Sequence, residues 1–371
     1  MHLADFTYSW VNASLDTGLR QHVTDKNGSR TTYTYDVLNR LTLATAPQES
    51  YAYSYDANSN RTSQTVNGAT TTYAHNAADQ LTTAGTVTYS YDANGNETSS
   101  SAGRQWSYNP KDQAMSATPP GGSPIPMSYT GTGQFKRVSA GSTTFMTSGL
   151  GLSRENSTHY TRDDNRQLIS QRTPSGNYYY LLDGLGSVAA LTDNAGNTAA
   201  TYSYEPFGKL KSSTGIVPNP YRWLGGLGVY YDTSTGLYKM GTRYYDPGLG
   251  RFTQVDPIAG GSANAYDYVA QDPINHVDLD GQLKIPSFGV CFLAISYCTT
   301  SKKKATILKQ IVGKIEDVLK AGNQASKRLP PPIRRCLGGA ILLGVPGLLI
   351  SGGTGGVLLV VGCGLGLGRG L

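Results

Sequence analysis

The sequence predicts a mainly β body built of repeated hairpins, followed by a small, mostly α, hydrophobic tail domain. Three observations predict it. First, the 371 residues include 26 Tyr and 45 Gly but only 7 Phe, with 38% hydrophobic and 15% charged residues. Gly and Tyr are weak helix formers, which excludes a helical bundle for the whole chain. A disordered chain would leave all those rings in water, which excludes full disorder. Second, a Tyr-x-Tyr-Asp pattern recurs through the body. Third, the composition breaks after residue 282. Only Tyr297 among the tyrosines lies beyond it, while Cys291, Cys298, Cys336 and Cys363 all do. Residues 1–282 carry 19 basic and 23 acidic side chains, whereas residues 283–371 carry 12 and 2. The net charge of +6 therefore averages an acidic body and a strongly basic tail.

The chain opens on a strand-like segment, Phe6-Thr-Tyr8-Ser-Trp10. No charged stretch followed by an apolar run precedes it, so no secretory signal peptide is expected. The repeat follows. Tyr33-Thr-Tyr35-Asp36-Val-Leu-Asn39-Arg40-Leu41 returns as Tyr53-Ser-Tyr55-Asp56-Ala-Asn-Ser-Asn60-Arg61. Further copies begin at Tyr73, Tyr89 and Trp106, and a degenerate one at Tyr160. Alternation with period 2 puts both rings on one face of a strand. The Asp-x-x-(Asn/Gly)-(Asn/Asp) stretch that follows is turn chemistry, because these side chains tolerate the left-handed region and bond their own backbone. Each unit is thus a hairpin, and hairpins must stack to bury a face. Sheet packing explains the tyrosines, with a sugar-binding aromatic platform as the alternative.

Between residues 178 and 282 the sequence carries a run of ordered motifs. They are Leu182-Asp183-Gly-Leu-Gly186-Ser187, Glu205-Pro206-Phe207-Gly208, Thr242-Arg243-Tyr244-Tyr245-Asp246-Pro247, Gly250-Arg251-Phe252 through Asp256-Pro257, and Asp272-Pro273-Ile-Asn275. With the repeats, this resembles the YD-repeat family of Rhs, teneurin and toxin-complex C proteins, and the segment resembles the Rhs-associated core. The resemblance implies YD strands spiralling into a β shell or cocoon plugged by the core, with a variable toxic payload behind it. It divides the chain into YD repeats at 1–177, the core at 178–282 and a variable tail at 283–371. The repeats here are too few for a closed shell, so a partial one is expected, as a fragment or as one piece of an assembly.

The resemblance also implies self-cleavage by paired carboxylates. The matching residues are Asp256 and Asp278, with Arg251 as an orienting cation and cleavage at Gln282–Leu283. Two carboxylates in one site cannot both ionise easily, so one serves as acid while the other activates water. Leu279 and Gln282 replace the family's Pro and Leu, and Asp280 is close enough to stand in for either carboxylate. The alternative role for these residues is turn capping. An aspartyl-type self-cleaving core is the most enzyme chemistry the chain shows.

In the tail, apolar residues at 307, 308, 311, 312, 315, 318 and 319 predict an amphipathic helix with a basic face. Pro330-Pro-Pro332 ends it, and Arg334-Arg335 precede a run of 33 uncharged residues from Cys336 to Gly368. A spanning helix needs roughly 20 apolar residues. Gly352–Gly356 could form the bend between arms at 337–350 and 357–367, and a Cys336–Cys363 bridge would staple them. A glycine-rich core segment is the alternative to a membrane-inserting one. The tail has no His and only Glu316 and Asp317 as acids, too few to hold a catalytic metal. No cofactor or metal is expected, and nucleic acid is disfavoured because aromatics do not interleave with the charge.

Three functions follow as expectations. One is the C-terminal part of an Rhs-type polymorphic toxin, secreted or displayed through a specialised system, acting on anionic membranes and neutralised by an immunity protein. Another is a carbohydrate-binding, adhesive surface protein with the tail as its anchor. The third is a truncated frame with an inert tail.

Overall fold

The computed structural model describes residues 6–12, 15–131, 133–258 and 264–282, with the strands Val290–Leu293 and Leu359–Gly362. The chain forms two compact units, Met1–Ile285 and Pro286–Leu371.

In the first unit, 22 strands form one antiparallel sheet. Phe6–Ser9 pairs with His22–Asp25. From there each strand pairs with the next in sequence, through Arg30–Tyr35 and Leu41–Ala46, as far as Thr198–Tyr204 and Leu210–Thr214. The sheet is a long meander and does not close into a barrel.

One local device explains the meander. Asp36 Oδ1 accepts the backbone N–H of Leu38 at 2.9 Å and of Arg40 at 3.0 Å. The backbone closes the same loop, with Asp36 N donating to Arg40 O at 3.0 Å. The arrangement recurs at Asp56, Asn76, Asp92, Asn109, Asp183 and Asp193. Residues inside these turns, such as Asn39 at φ 63° and Gly95 at φ 82°, take the left-handed conformation that Gly and Asn tolerate. The pairing register shifts at the residue before the turn Asp, as between Thr34 and Tyr35 or Ser54 and Tyr55. Such a bulge increases twist and bends the strand. Adjacent tips are also tied together, because Asn60 Nδ2 donates to Asp79 Oδ1 at 2.7 Å and Asn96 Nδ2 to Asp112 Oδ1 at 2.8 Å.

The repeat tyrosines pack and cap at once. Tyr51, Tyr53, Tyr160 and Tyr180 are buried. Tyr35, Tyr55 and Tyr204 donate their hydroxyls to backbone carbonyls of Arg20, Leu41 and Val188, at 2.7, 2.7 and 2.8 Å. A buried ring whose hydroxyl finds a partner adds area without an unpaired polar atom.

Beyond Thr214 the chain leaves the meander and builds a second, four-stranded antiparallel sheet. Its strands are Tyr230–Asp232, Leu237–Met240, Arg243–Asp246 and Arg251–Phe252. Every residue of the last three is buried. The alternating residues of this sheet serve two cores. Tyr238, Met240, Tyr245 and Phe252 pack with Trp223 and Tyr268. Leu237 and Tyr244 pack against Trp106, Met127 and Phe145 of the meander. The central layer of this unit is therefore made by sequence that the repeat lacks.

The expected α character of the tail is not supported. Its described residues are two strands, Val290–Leu293 antiparallel to Leu359–Gly362. The second falls inside the arm at 357–367 expected to be helical, and its Val360-Val361 pair is β-branched, which favours a strand. The expected amphipathic helix, the Cys336–Cys363 bridge and the rest of the uncharged run lie outside the described residues. Among those residues no helix is long and apolar enough to cross a membrane.

Candidate functional site

The small sheet sets the site. Arg243 begins its third strand, opposite Met240. Its guanidinium carbon sits 3.6 Å from the centre of the Phe252 ring on the neighbouring strand. From there one nitrogen, Nη2, donates to Asp256 Oδ2 at 2.9 Å and to Asp278 Oδ2 at 3.2 Å. Nη1 donates to the carbonyl of Ala265 at 3.1 Å. All three charged side chains are buried.

Each carboxylate is also held by its own turn. Asp256 Oδ1 accepts the N–H of Ile258 at 2.8 Å, and its own N–H donates to Ala265 O at 2.9 Å. Asp278 Oδ1 accepts from Gly281 N at 2.9 Å and from Gln282 N at 3.2 Å. The turn of 278–282 docks on the hairpin at Gly241-Thr242: Thr242 N and Oγ1 donate to Asp280 O at 2.9 and 3.1 Å.

One buried cation facing two buried carboxylates favours retention of a proton. Burial raises Asp278 above the ordinary carboxylate range, Arg243 pulls it back, and the Asp280 carboxyl beside it raises it again. Burial likewise lowers Arg243, offset by Asp256, Asp278 and Asp267. An acid that keeps its proton beside a second carboxylate is the arrangement acid–base hydrolysis needs.

The structure thus brings Asp256 and Asp278 together, with Asp280 at the edge, where its Oδ1 accepts from Gln282 N at 3.1 Å. Leu283, the far side of the expected scissile bond, lies outside the described residues. Arg251, expected to orient the pair, points elsewhere. It donates from Nη2 to Asp79 O at 2.6 Å and lies over the Tyr266 ring at 4.8 Å. Arg243 takes that place, and sequence reasoning did not assign it. The signal available was an arginine within one of the ordered motifs, Thr242-Arg243-Tyr244-Tyr245-Asp246-Pro247, followed at once by two tyrosines. A cavity of about 610 Å³ borders Leu279 and Asp280 and is walled by Lys239, Arg137, Arg162 and Tyr230. Lys239 is buried there, its amine donating to Gly241 O, and burial with the nearby Arg137 holds it well below the usual lysine range.

Known proteins resemble the chain in sequence and in fold. It is 36% identical over 130 residues to the tRNA3(Ser)-specific nuclease WapA of Bacillus spizizenii, covering 33% of this chain and 5% of that protein. It is 36% identical over 107 residues to the double-stranded DNA deaminase toxin A of Burkholderia cenocepacia, covering 27% of this chain and 7% of that one. The chain therefore spans only a small part of the length of these relatives. A Tc holotoxin pore of Photorhabdus luminescens shares the fold with a TM-score of 0.62 at 18% identity, over 77% of this chain and 17% of that one. The teneurin YD-shell family matches residues 17–274. With its turn-capped meander wrapped on a buried core segment, the chain belongs to the teneurin YD-shell family.

Proposed function

We propose that this chain is the shell and cargo end of a polymorphic toxin, with repeats at 1–177, a core at 178–282 and a payload at 283–371. Relatives named as a nuclease and as a deaminase toxin support that reading, since each is 36% identical to a stretch of this chain. The tail would then be the variable part. In this reading the core cuts the Gln282–Leu283 bond. Water adds to the Gln282 carbonyl carbon, Asp256 takes its proton, and Asp278 gives a proton to the leaving nitrogen of Leu283. The C–N bond breaks, and residues 283–371 leave with a new amino terminus.

The observation that carries this is the sharing of Arg243 Nη2 by Asp256 and Asp278. The test is intact mass of purified protein. The expected product is a break after Gln282, lost in Asp256→Asn and in Asp278→Asn. An uncut wild-type chain would refute the cleavage step and leave the containment reading standing.

The released tail acts on membranes. This rests on the 33 uncharged residues of 336–368 behind a basic segment. Dye release from anionic liposomes by residues 283–371 is the expected result, and no leakage at high peptide concentration would refute it. Such a payload implies an immunity protein in the producing cell and a dedicated secretion route, for use against competing bacteria. An adhesive role finds less support, because Tyr51, Tyr53, Tyr160 and Tyr180 are buried and offer no face to a sugar.

A further inference from the structure

We propose that Arg61 and Arg251 together bind one monatomic anion, chloride, in a small enclosed site at the end of the buried sheet. The site is a cavity of about 10 Å³ bordered by Arg61, Arg251, Gln271, His75, Asn264 and Gly250. That is room for about one water-sized particle.

Three buried donor atoms at this place have no partner within the protein: Arg61 Nε, Arg61 Nη2 and Arg251 Nε. The remaining bonds of both guanidiniums go to neutral groups. Arg61 Nη1 donates to Gln64 Oε1 at 3.1 Å, and the guanidinium carbon lies 4.1 Å from the Phe207 ring centre and 4.7 Å from that of Tyr53. Arg251 Nη2 donates to the Asp79 carbonyl. Neither arginine is among the ion pairs of the described residues, which are held by Arg40, Arg104, Arg137, Lys209, Lys211, Arg243 and His276. Asp267 also borders the cavity, and its charge acts on Arg251. No carboxylate is among the leading influences on Arg61.

Glu97 and Asp267 offset Arg251, but no carboxylate is among the groups that act most on Arg61, and an uncompensated buried charge is strongly unfavourable. His75 adds none at neutral pH, since burial and Arg251 together hold it down to about 4. Arg61 cannot swing away to water. A Cβ on Gly250 would sit 2.1 Å from Arg61 Nη2, so the glycine lets the backbone close directly over the guanidinium. The one unpartnered acceptor here is Gln271 Oε1. Turning that amide over presents its NH₂ instead, so that Gln271 joins the two guanidiniums as a donor. A halide accepts from all of them, whereas a water must place two protons of its own.

The experiment uses the full chain. Crystals soaked in sodium bromide should show an anomalous peak between Arg61 and Arg251. Density there without anomalous signal, fitting an ordered water, would overturn the proposal. In solution the unfolding midpoint should rise saturably with chloride against gluconate at equal ionic strength. Gln271→Glu supplies a fixed negative charge at the same place and should abolish that rise. A Gln271→Glu protein with the wild-type chloride response would also overturn it, and if that variant does not fold the bromide map decides alone.

Discussion

Gly241 and Asp280 meet backbone to backbone: a Cβ on Gly241 would lie 2.1 Å from the Asp280 carbonyl oxygen. Gly241 also sits at φ 47°, which side chains with a Cβ adopt at a cost. This contact seats the turn that carries Asp278. Gly241→Ala should therefore destabilise the first unit by roughly 1–3 kcal/mol, with strain and displacement adding. Gly196→Ala is the control, with φ 81° but nothing within 4 Å of the added carbon. Its cost should be smaller, since only the backbone conformation resists it. Urea midpoints of the two variants against wild type check the difference, and equal losses would refute a role for the contact.

Arg243 is expected to matter more than either acid it holds. Removing it leaves Asp256 and Asp278 buried without their cation, and breaking a buried pair from one side costs about 3–5 kcal/mol. Arg243→Met should show a loss of that order. Adding Asp256→Asn and Asp278→Asn to it should recover part of the loss, because the uncompensated charges are then gone. A triple variant less stable than Arg243→Met by the sum of the acid variants' own losses would show that the three groups are not coupled.

The reach of the sequence follows the range of the forces. The turn at Asp36 is closed by atoms two and four residues away, so Tyr-x-Tyr-Asp announces it, and each copy announces its own hairpin. Asp256 and Asp278 were identified through family motifs that keep their spacing. Arg243 was not, because its partners lie 13 and 35 residues away and its direction is set by the Phe252 ring. Arg243 and Arg251 stand on adjacent strands of one small sheet, and local sequence does not say which one turns to the carboxylates. Nor does period-2 patterning identify Leu237–Met240 and Arg243–Asp246, where burial on both faces erases the alternation. In the tail, Leu359–Gly362 is a strand within the arm at 357–367 for which a helix is expected, an ambiguity that short apolar runs carry.

His75 occupies a tyrosine position of the repeat and makes the fold acid-sensitive. Burial, then the charge of Arg251, lower it from 6.5 to about 4, against weaker opposing pulls from Asp56 and Asp79. The unfolded chain therefore binds a proton that the folded chain refuses. The stability this group contributes is full above pH 6.5 and is lost as pH falls toward about 4. His75→Gln should lose less stability than wild type between pH 7 and pH 4.5, read as urea midpoints at each pH. Parallel profiles for the two proteins would refute the assignment.

Asp278 should act in the opposite sense. Its folded carboxyl is raised, first by burial and then by Asp280, against the pull of Arg243. The folded chain thus keeps a proton that the unfolded chain gives up near the ordinary Asp value of about 3.9. The stability from this group is fully present below that value and declines as pH rises through the folded one. Asp278→Asn is uncharged at every pH and lacks that decline. The gap between wild type and variant should therefore narrow, or reverse, from acid toward neutral pH, once both profiles are taken in the His75→Gln background. Should cleavage also occur, its rate ought to fall over the same interval, because the proton lost is the one Asp278 gives to the leaving nitrogen. A stability gap that stays constant across the range would show that folding leaves the proton affinity of Asp278 unchanged, and its acid role would lose its support.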